Sequence, residues 1–487
     1  MDRREFVKTG AAAAAGSALC GPLAQAGQKN RPNVLLILVD QMRMPKWTPE
    51  LRTPNIDRLA ASGVSFDNHF VSASPCSPSR ACILTGTYTT QNGMYTNCDF
   101  VEGALQPSLD PKIPTFGHVF GKSGYQTPYR GKWHLTRRAE RNRKDPLLDY
   151  GFTGWQGPAA FFGGPPYCGA LYDPRYVRET KEFLFDKKSR EEPWFMVSSF
   201  VNPHDICGYP RYYPQWKMKD IRSAAPADNW TDDLSGKPGC QREYQKVYNS
   251  VGGKIDLDDP DAWRRYLDYY MHCMEDVDGN IGRVLDALEE SGQRENTIIA
   301  FTSDHGEMAG SHRLRTKGCF AYEEEINVPL IFSAPGMLPE GVSTDAMASN
   351  VDIMPTLCSL AGLEEGLPYM AGEDLTQVLT DPKGTSVRDE VVFHQDWEVQ
   401  FTIGKKEGSE GSFKNPAHIR CLRDKEFKYS YYFTPRSDAE EFELYNMKDD
   451  PMEMTNLAGD PGYKDRMKAM HKRLMEYENK FDEEFEV

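Results

Sequence analysis

The sequence predicts an α/β protein: a large mixed, mostly parallel sheet sandwiched by helices, followed by a smaller C-terminal antiparallel-sheet subdomain with a terminal helix. Three observations carry this. Continuous apolar runs at 33–39, 194–201 and 297–302 have the texture of strands buried on both faces, as parallel sheets require. The stretch 261–291 repeats apolar residues at helical spacing, from Leu267, Tyr270 and Met274 to Leu285 and Leu288. After about Arg388 the texture changes to short aromatic and charged segments, 390–394 and 427–433, closed by an amphipathic stretch at 461–485.

The chain has 487 residues, enough for one large domain, 27–387, and a smaller one, 388–487. Its net charge of −15 and pI near 5.3 argue against nucleic acid as a partner. They leave room for a small anionic substrate in a locally basic pocket. No mature segment approaches the length of a stable membrane span. The eleven cysteines contain no CxxC pair, which disfavours a structural zinc site and leaves one or two disulfides open.

Residues 1–26 read as a twin-arginine signal peptide. Arg3-Arg4-Glu5-Phe6-Val7-Lys8 carries the paired arginines, an Ala/Gly-rich segment follows, and Ala24-Gln25-Ala26 offers the cleavage site. Gly27 would begin the mature chain, with the twin-arginine export machinery as a partner and a periplasmic or secreted destination. Leu19 before Cys20 is too bulky for lipoprotein processing.

Taken in order, the strand 33–39 ends in Asp40-Gln41, and ligands gather at the carboxyl ends of strands in open α/β sheets. Both side chains can give oxygen to a hard cation, although an Asp after a strand also serves as a turn or helix cap. Thr53-Pro54 opens a short helix. The segment 64–71 then leads into Pro75-Cys76-Ser77-Pro78-Ser79-Arg80. A helix from Ser79 onward puts Cys76 at or before its first turn and Arg80 about one turn on, facing an anion-binding N-terminus. Read alone, Cys76 is far more often a free buried thiol.

Next comes Tyr129-Arg130-Gly131-Lys132-Trp133-His134. Were this the end of a strand, Lys132 and His134 would share a face. The alternative is an exposed lysine and a hydrogen-bonded histidine. The basic run Arg137, Arg138, Arg141, Arg143 and Lys144 attracts anions or is a solvated face. The strand 194–201 ends in Asn202-Pro203-His204-Asp205. The stretch 205–261 reads as a long loop walling the pocket. Its Tyr209, Tyr212, Tyr213, Trp216 and Trp230 stack on a substrate ring or anchor the loop. The strand 297–302 ends in Ser303-Asp304-His305-Gly306-Glu307, a second metal-type pair, with His312 and Lys317 beyond it. The large domain continues through 328–332 and a helix at 351–361.

The order of these pieces resembles the type I, formylglycine-dependent sulfatase family of the alkaline-phosphatase superfamily. The resemblance rests on Cys76-Ser77-Pro78-Ser79-Arg80 with Leu84-Thr85-Gly86, on Gly131-Lys132-Trp133-His134, and on Glu443-Leu444-Tyr445-Asn446 with Asp449-Asp450-Pro451. It implies that a formylglycine-generating enzyme oxidises Cys76 to formylglycine, whose hydrate is the nucleophile. It implies that Asp40, Gln41, Asp304 and His305 hold one divalent metal together with residue 76, calcium by the family's habit. Arg80, Lys132 and Lys317 would neutralise the sulfate, His134 would act as base, and His204 would protonate the leaving alcohol with Lys317 assisting. Lys132, His204, His312 and Lys317 would contact substrate.

The chain has Gln41 and His305 where the best-known branch has Asp and Asn. The pair is similar to choline-sulfatase-like and phosphonate-monoester-hydrolase-like members, and an imidazole ligand also suits manganese or zinc. The expected function is hydrolysis of a sulfate ester, of a carbohydrate foremost. A phosphonate monoester or phosphodiester hydrolase is the second reading, and a non-catalytic binder of sulfated glycans the third.

Overall fold

The computed structural model describes residues 31–98, 106–137, 140, 144–157, 168–212, 225–363, 369–396, 415–435 and 437–481. The expected signal peptide with Cys20, most of the basic run (Arg138, Arg141 and Arg143), and the loop aromatics Tyr213 and Trp216 lie outside the described residues.

Seven strands form the main sheet: β1 Asn33–Asp40, β2 Val64–Phe70, β3 Tyr129–Gly131, β4 Phe195–Pro203, β5 Thr297–Ser303, β6 Leu330–Ser333 and β7 Val342–Ser349. Their order is β3-β4-β1-β5-β6-β2-β7. All pairs are parallel except those made by β6, which runs antiparallel to both β5 and β2. The sheet is therefore mixed and mostly parallel.

Strand β1 shows why the apolar run is continuous. Val34, Leu36 and Leu38 enter one core, while Leu35, Ile37 and Val39 enter the other. With both faces covered, neither set tolerates a polar residue, and each side chain contributes about 1.5–3 kcal/mol by leaving water. The first core is closed by α2 Cys76–Thr85, α3 Phe116–Lys122 and α7 Ile353–Leu360; the second by α1 Pro54–Ala61, α4 Cys168–Phe185 and α6 Pro260–Glu290. Helix α6 starts at the Asp259 cap and carries the predicted apolar stripe.

The smaller subdomain is an antiparallel sheet, β8 Glu390–Asp396, β9 His418–Asp424, β10 Phe427–Phe433 and β11 Glu440–Asn446, in the order β11-β10-β9-β8. The terminal helix α8, Lys464–Phe481, packs Met470 and Leu474 against Val392, Leu422, Tyr429 and Leu444. Strand β8 also reaches the main domain. His394 bridges to Ala73 in parallel: its N–H donates to the Ser72 carbonyl at 2.9 Å and its carbonyl accepts from the Ser74 N–H at 3.2 Å. The second sheet thereby grips the segment just before Cys76.

Three local expectations are corrected. Helix α2 begins at Cys76 itself rather than at Ser79. Strand β3 ends at Gly131, so Lys132 and His134 lie beyond it and do not share a strand face; His134 turns through φ 59°. The stretch 205–261 is not one loop, because α5, Gly239–Val251, lies within it. That helix buries Cys240, Tyr244 and Tyr248 at four-residue spacing. Its apolar face is made of aromatics rather than aliphatics, which reads like loop composition. The ten cysteines among the described residues are free thiols, all buried.

Candidate active site

Strand order assembles the site. With β3, β4, β1 and β5 side by side, their carboxyl ends bring Lys132, His204, Asp40-Gln41 and Asp304-His305 to one edge of the sheet. Two devices fix the approach. Gly131 sits at φ 101°, and a Cβ there would stand 1.7 Å from the Ser199 carbonyl oxygen of β4, so only glycine lets the chain turn Lys132 inward. Gly86, at φ 69°, ends α2 and donates its N–H to the Cys82 carbonyl. All ten residues of α2 are buried, so the helix is fixed on every side and presents its N-terminal residue, Cys76, to the strand ends.

Around Cys76 the charges are paired. Its Sγ stands 3.2 Å from His305 Nε2 and 3.8 Å from Asp40 Oδ1. The Arg80 guanidinium, fully buried, donates from Nη2 to Asp40 Oδ2 at 2.9 Å and from Nε to Asp304 Oδ2 at 2.8 Å. Its Nη1 donates to the Lys132 carbonyl and to Ser199 Oγ, both at 2.9 Å. Lys132 Nζ also bonds Asp40 Oδ2. One arginine thus holds two carboxylates in a fixed fork.

The electrostatics follow from burial set against these partners. Burial would raise the Asp40 carboxyl, but Lys132, His204 and Arg80 hold it well below its usual range. Burial and Asp40 would raise the Cys76 thiol, yet Lys132, Lys317 and His305 outweigh them and bring it below its ordinary value. Asp304 is pushed up by burial and by Asp40. His204 is driven well below 6.5 by burial and Lys132, so its imidazole is neutral at pH 7. Lys317 stays firmly protonated, because burial is outweighed by Cys207, Cys76 and Asp40.

Asp40, Cys76, Asp304 and His305 each offer one ligand atom, and the four atoms lie within 4.8 Å of one another, all buried. His305 Nδ1 lies 2.9 Å from the Gly306 carbonyl, which can only accept. That fixes a proton on Nδ1 and directs Nε2 inward; burial is outweighed by Asp304 and Cys76, which raise the imidazole to about 8, so a cation binding there would take the place of the Nε2 proton. Two carboxylates, a sulfur position and an imidazole converging in a buried pocket fit a divalent cation.

The family model described as Sulfatase matches residues 32–363. The chain belongs to the sulfatase family. It is a hydrolase of sulfate esters within the alkaline-phosphatase superfamily. A second model, N-sulphoglucosamine sulphohydrolase C-terminal, matches residues 310–480. This sulfatase is 30% identical to the uncharacterised sulfatase YidJ of Escherichia coli K12, over 93% of this chain and 88% of that protein. It is 28% identical to a delta 4,5-hexuronate-2-O-sulfatase of Bacteroides thetaiotaomicron, over 95% and 91%. Among solved structures, a 2-O GAG sulfatase superposes with a TM-score of 0.74 at 25% identity, covering 93% of both chains.

Other residues of this sulfatase are placed as follows. Gln41, at φ 76°, turns its Oε1 to accept from Lys317 Nζ at 2.5 Å. The His134 carbonyl accepts from Ser77 Oγ at 2.5 Å, tying its turn to α2. His312 is fully buried beside another group: its Nδ1 meets Asp232 at 2.6 Å, its Nε2 lies 3.0 Å from Asn229, and its ring stacks on Tyr322 at 3.9 Å. Of the loop aromatics, Tyr209 stacks on Tyr269 of α6 as an anchor, while Tyr212 is exposed.

Sequence reasoning missed Ser199, Cys207 and Asp205. Cys207 Sγ lies 3.1 Å from Gln41 Oε1, and Asp205 accepts from the Gly169 N–H at 3.0 Å, capping α4 beside His204. Ser199 and Cys207 carry no pattern a sequence displays. Asp205 follows His204 directly, and an acid there is a plausible cap for a helix elsewhere in the chain.

Proposed function

We propose that this sulfatase cleaves a sulfate ester of a carbohydrate through a formylglycine made from Cys76. The observation that carries the reading is the place of Cys76, first residue of a fully buried helix, held among two carboxylates, an imidazole and two ammonium groups. A hydroxyl in the same spot would sit within a metal-type donor set of Asp40, Asp304 and His305. The carbohydrate part rests on the B. thetaiotaomicron relative, named for a 2-O-sulfated hexuronate.

Asp40, Gln41, Asp304 and His305 would hold the cation with residue 76. Calcium suits the three oxygen donors, and manganese or zinc the imidazole. When bound, the cation lowers the nucleophile's pKa and screens sulfate oxygens. Formylglycine, as its hydrate, supplies one hydroxyl to take the sulfuryl group and a second whose deprotonation expels sulfate and restores the aldehyde.

The chain's own side chains do the rest. Arg80 keeps the Asp40 and Asp304 carboxylates aligned. Lys132 and Lys317 face the sulfate oxygens and are preorganised by their bonds to Asp40 and Gln41. His204 is neutral in the resting site; a bound sulfate offsets the two ammonium charges, so its imidazole can hold the proton passed to the leaving oxygen. His134 takes the proton of the second hydroxyl. His312 is engaged by Asp232, Asn229 and Tyr322, so its part in substrate binding would be to hold that segment in place. The paired arginines within residues 3–8 support export of the folded protein by the twin-arginine route as part of this reading.

Mass spectrometry of the peptide carrying residue 76, from cells that contain the maturation enzyme, should show the aldehyde. Sulfate release should then be found on defined sulfated saccharides and vanish in Cys76→Ala. A large preference for aryl phosphonates over aryl sulfates would move the assignment to the phosphonate hydrolase reading, and undiminished turnover by Cys76→Ala would defeat both. Replacing Arg3-Arg4 by Lys-Lys should leave the protein in the cytoplasm; unchanged export would refute the twin-arginine route.

A further inference from the structure

Glu307 is fully buried and stands outside the donor set described above, yet its carboxylate is the most heavily bonded acceptor beside it. Its Oε1 accepts from Tyr266 Oη of α6 at 3.0 Å, from the Ala309 N–H at 3.0 Å and from the Thr316 N–H at 2.5 Å. Its Oε2 accepts from Gln41 Nε2 at 2.5 Å. One side chain therefore ties the end of β1 to α6 and to both legs of the 305–317 loop.

The bond to Gln41 matters most. A carboxamide is nearly symmetric in shape, so packing alone leaves its oxygen and nitrogen interchangeable. Their chemistry is opposite: only the oxygen can face a cation or accept from an ammonium group. Here the acceptor-only carboxylate of Glu307 claims the nitrogen. The oxygen is left to point the other way, where it accepts from Lys317 Nζ at 2.5 Å and from Cys207 Sγ at 3.1 Å. Reversal would set an NH₂ against an ammonium group and an oxygen against a carboxylate. The same carboxylate fixes Thr316, and with it the start of Lys317.

We infer that Glu307 is a positioning residue that sets the polarity of the Gln41 carboxamide, making it an oxygen donor to the site's cation and to Lys317. The inference rests on the metal-dependent reading given above. An aspartate in place of Gln41 would need no such partner, because both its outer atoms are acceptors. The need for Glu307 follows from having an amide at this position.

The test is a polarity swap. Glu307→Gln keeps the shape but places a donor or a lost acceptor against Gln41 or against Tyr266, Ala309 and Thr316. The double variant Gln41→Glu with Glu307→Gln reverses the donor across the pair and preserves every hydrogen bond. Each protein is titrated with Ca²⁺ alone, reading the thermal unfolding midpoint, and separately assayed for kcat and KM. Glu307→Gln should weaken the calcium response by about tenfold and lower kcat by at least as much. The double variant should recover most of the calcium response. A single variant with the wild-type calcium midpoint and kcat within about twofold overturns the inference, as does a double variant no better than the single in folding or calcium response. Absence of any calcium response in the wild type, with sulfate release intact and insensitive to chelator, would instead refute the metal reading itself.

Discussion

Arg80 is fully buried with two carboxylates, a carbonyl and a serine oxygen on its guanidinium. Its role depends on shape as much as charge, because a lysine cannot span Asp40 and Asp304 together. Arg80→Lys should lower kcat by about 10²–10³-fold with a smaller change in KM, read from steady-state sulfate release. Arg80→Ala, which leaves Asp304 buried without its ion-pair partner and Asp40 with Lys132 alone, should also cost about 3–5 kcal/mol in denaturant unfolding. The residue was legible in the sequence because the Cys76-to-Arg80 spacing and the strand-end pairs are local patterns. Ser199 and Cys207 were not legible: their roles arise from contacts between β4, α2 and the end of β1, which no spacing along the chain reveals. Glu307 was visible as part of the Asp304–Glu307 run, but its partner lies 266 positions away.

At the scale of elements, the strands with continuous apolar runs were read well, while β7, whose Val342–Ser349 is largely polar, and the turns were not. A strand buried on both faces advertises itself by its apolar run, whereas the end of β3 is decided by one glycine at φ 101°. Gly131→Ala forces a Cβ against the Ser199 carbonyl and demands a conformation alanine resists. It should destabilise the fold by more than about 3 kcal/mol and displace Lys132, measured by urea unfolding and by loss of kcat in the folded fraction. Helix α5 escaped notice for a different reason: its buried face of Tyr244 and Tyr248 serves the junction with the second sheet, beside Phe320, Tyr322 and Tyr432. Helix α4 escaped because Pro174 lies inside it and glycine and proline surround its start.

The whole molecule is two sheets joined by buried polar and ionic contacts as well as by apolar packing. On the edge strand of the second sheet that meets the main domain, Asp396 of β8 accepts from His418 Nδ1 at 2.7 Å and Arg420 Nη1 at 2.9 Å. Arg420 also meets Glu478 of α8 at 3.1 Å. Burial alone would raise the Asp396 carboxyl, but Arg420 and His418 hold it far below its usual value. A carboxyl whose folded-state pKa is depressed stabilises the fold above its unfolded pKa, about 3.9, and loses that contribution as pH falls toward the folded value. Asp396→Asn should therefore unfold at lower temperature than the wild type at pH 7, with the gap closing below about pH 4 in melts across that range. Met470→Ala or Leu474→Ala, each removing a fully buried side chain between α8 and the sheet, should cost about 2–5 kcal/mol while leaving kcat of the folded protein unchanged.

The strap from His394 to residues 72–74 also sets an order of events. Cys76 is 1% exposed in the finished fold, and the strand that bridges to Ala73, three residues before it, begins at Glu390. During synthesis, Glu390, the first residue of that strand, is the 314th to follow Cys76. At ~5–20 residues per second, the interval is on the order of tens of seconds. A catalyst that has to take the thiol in an extended segment works within that interval, on a growing chain, and finds the segment strapped down once the last hundred residues are in place. Given the formylglycine proposed above, slowing translation downstream of position 76 should raise the fraction of chains processed, and supplying the catalyst only to the completed protein should leave a thiol.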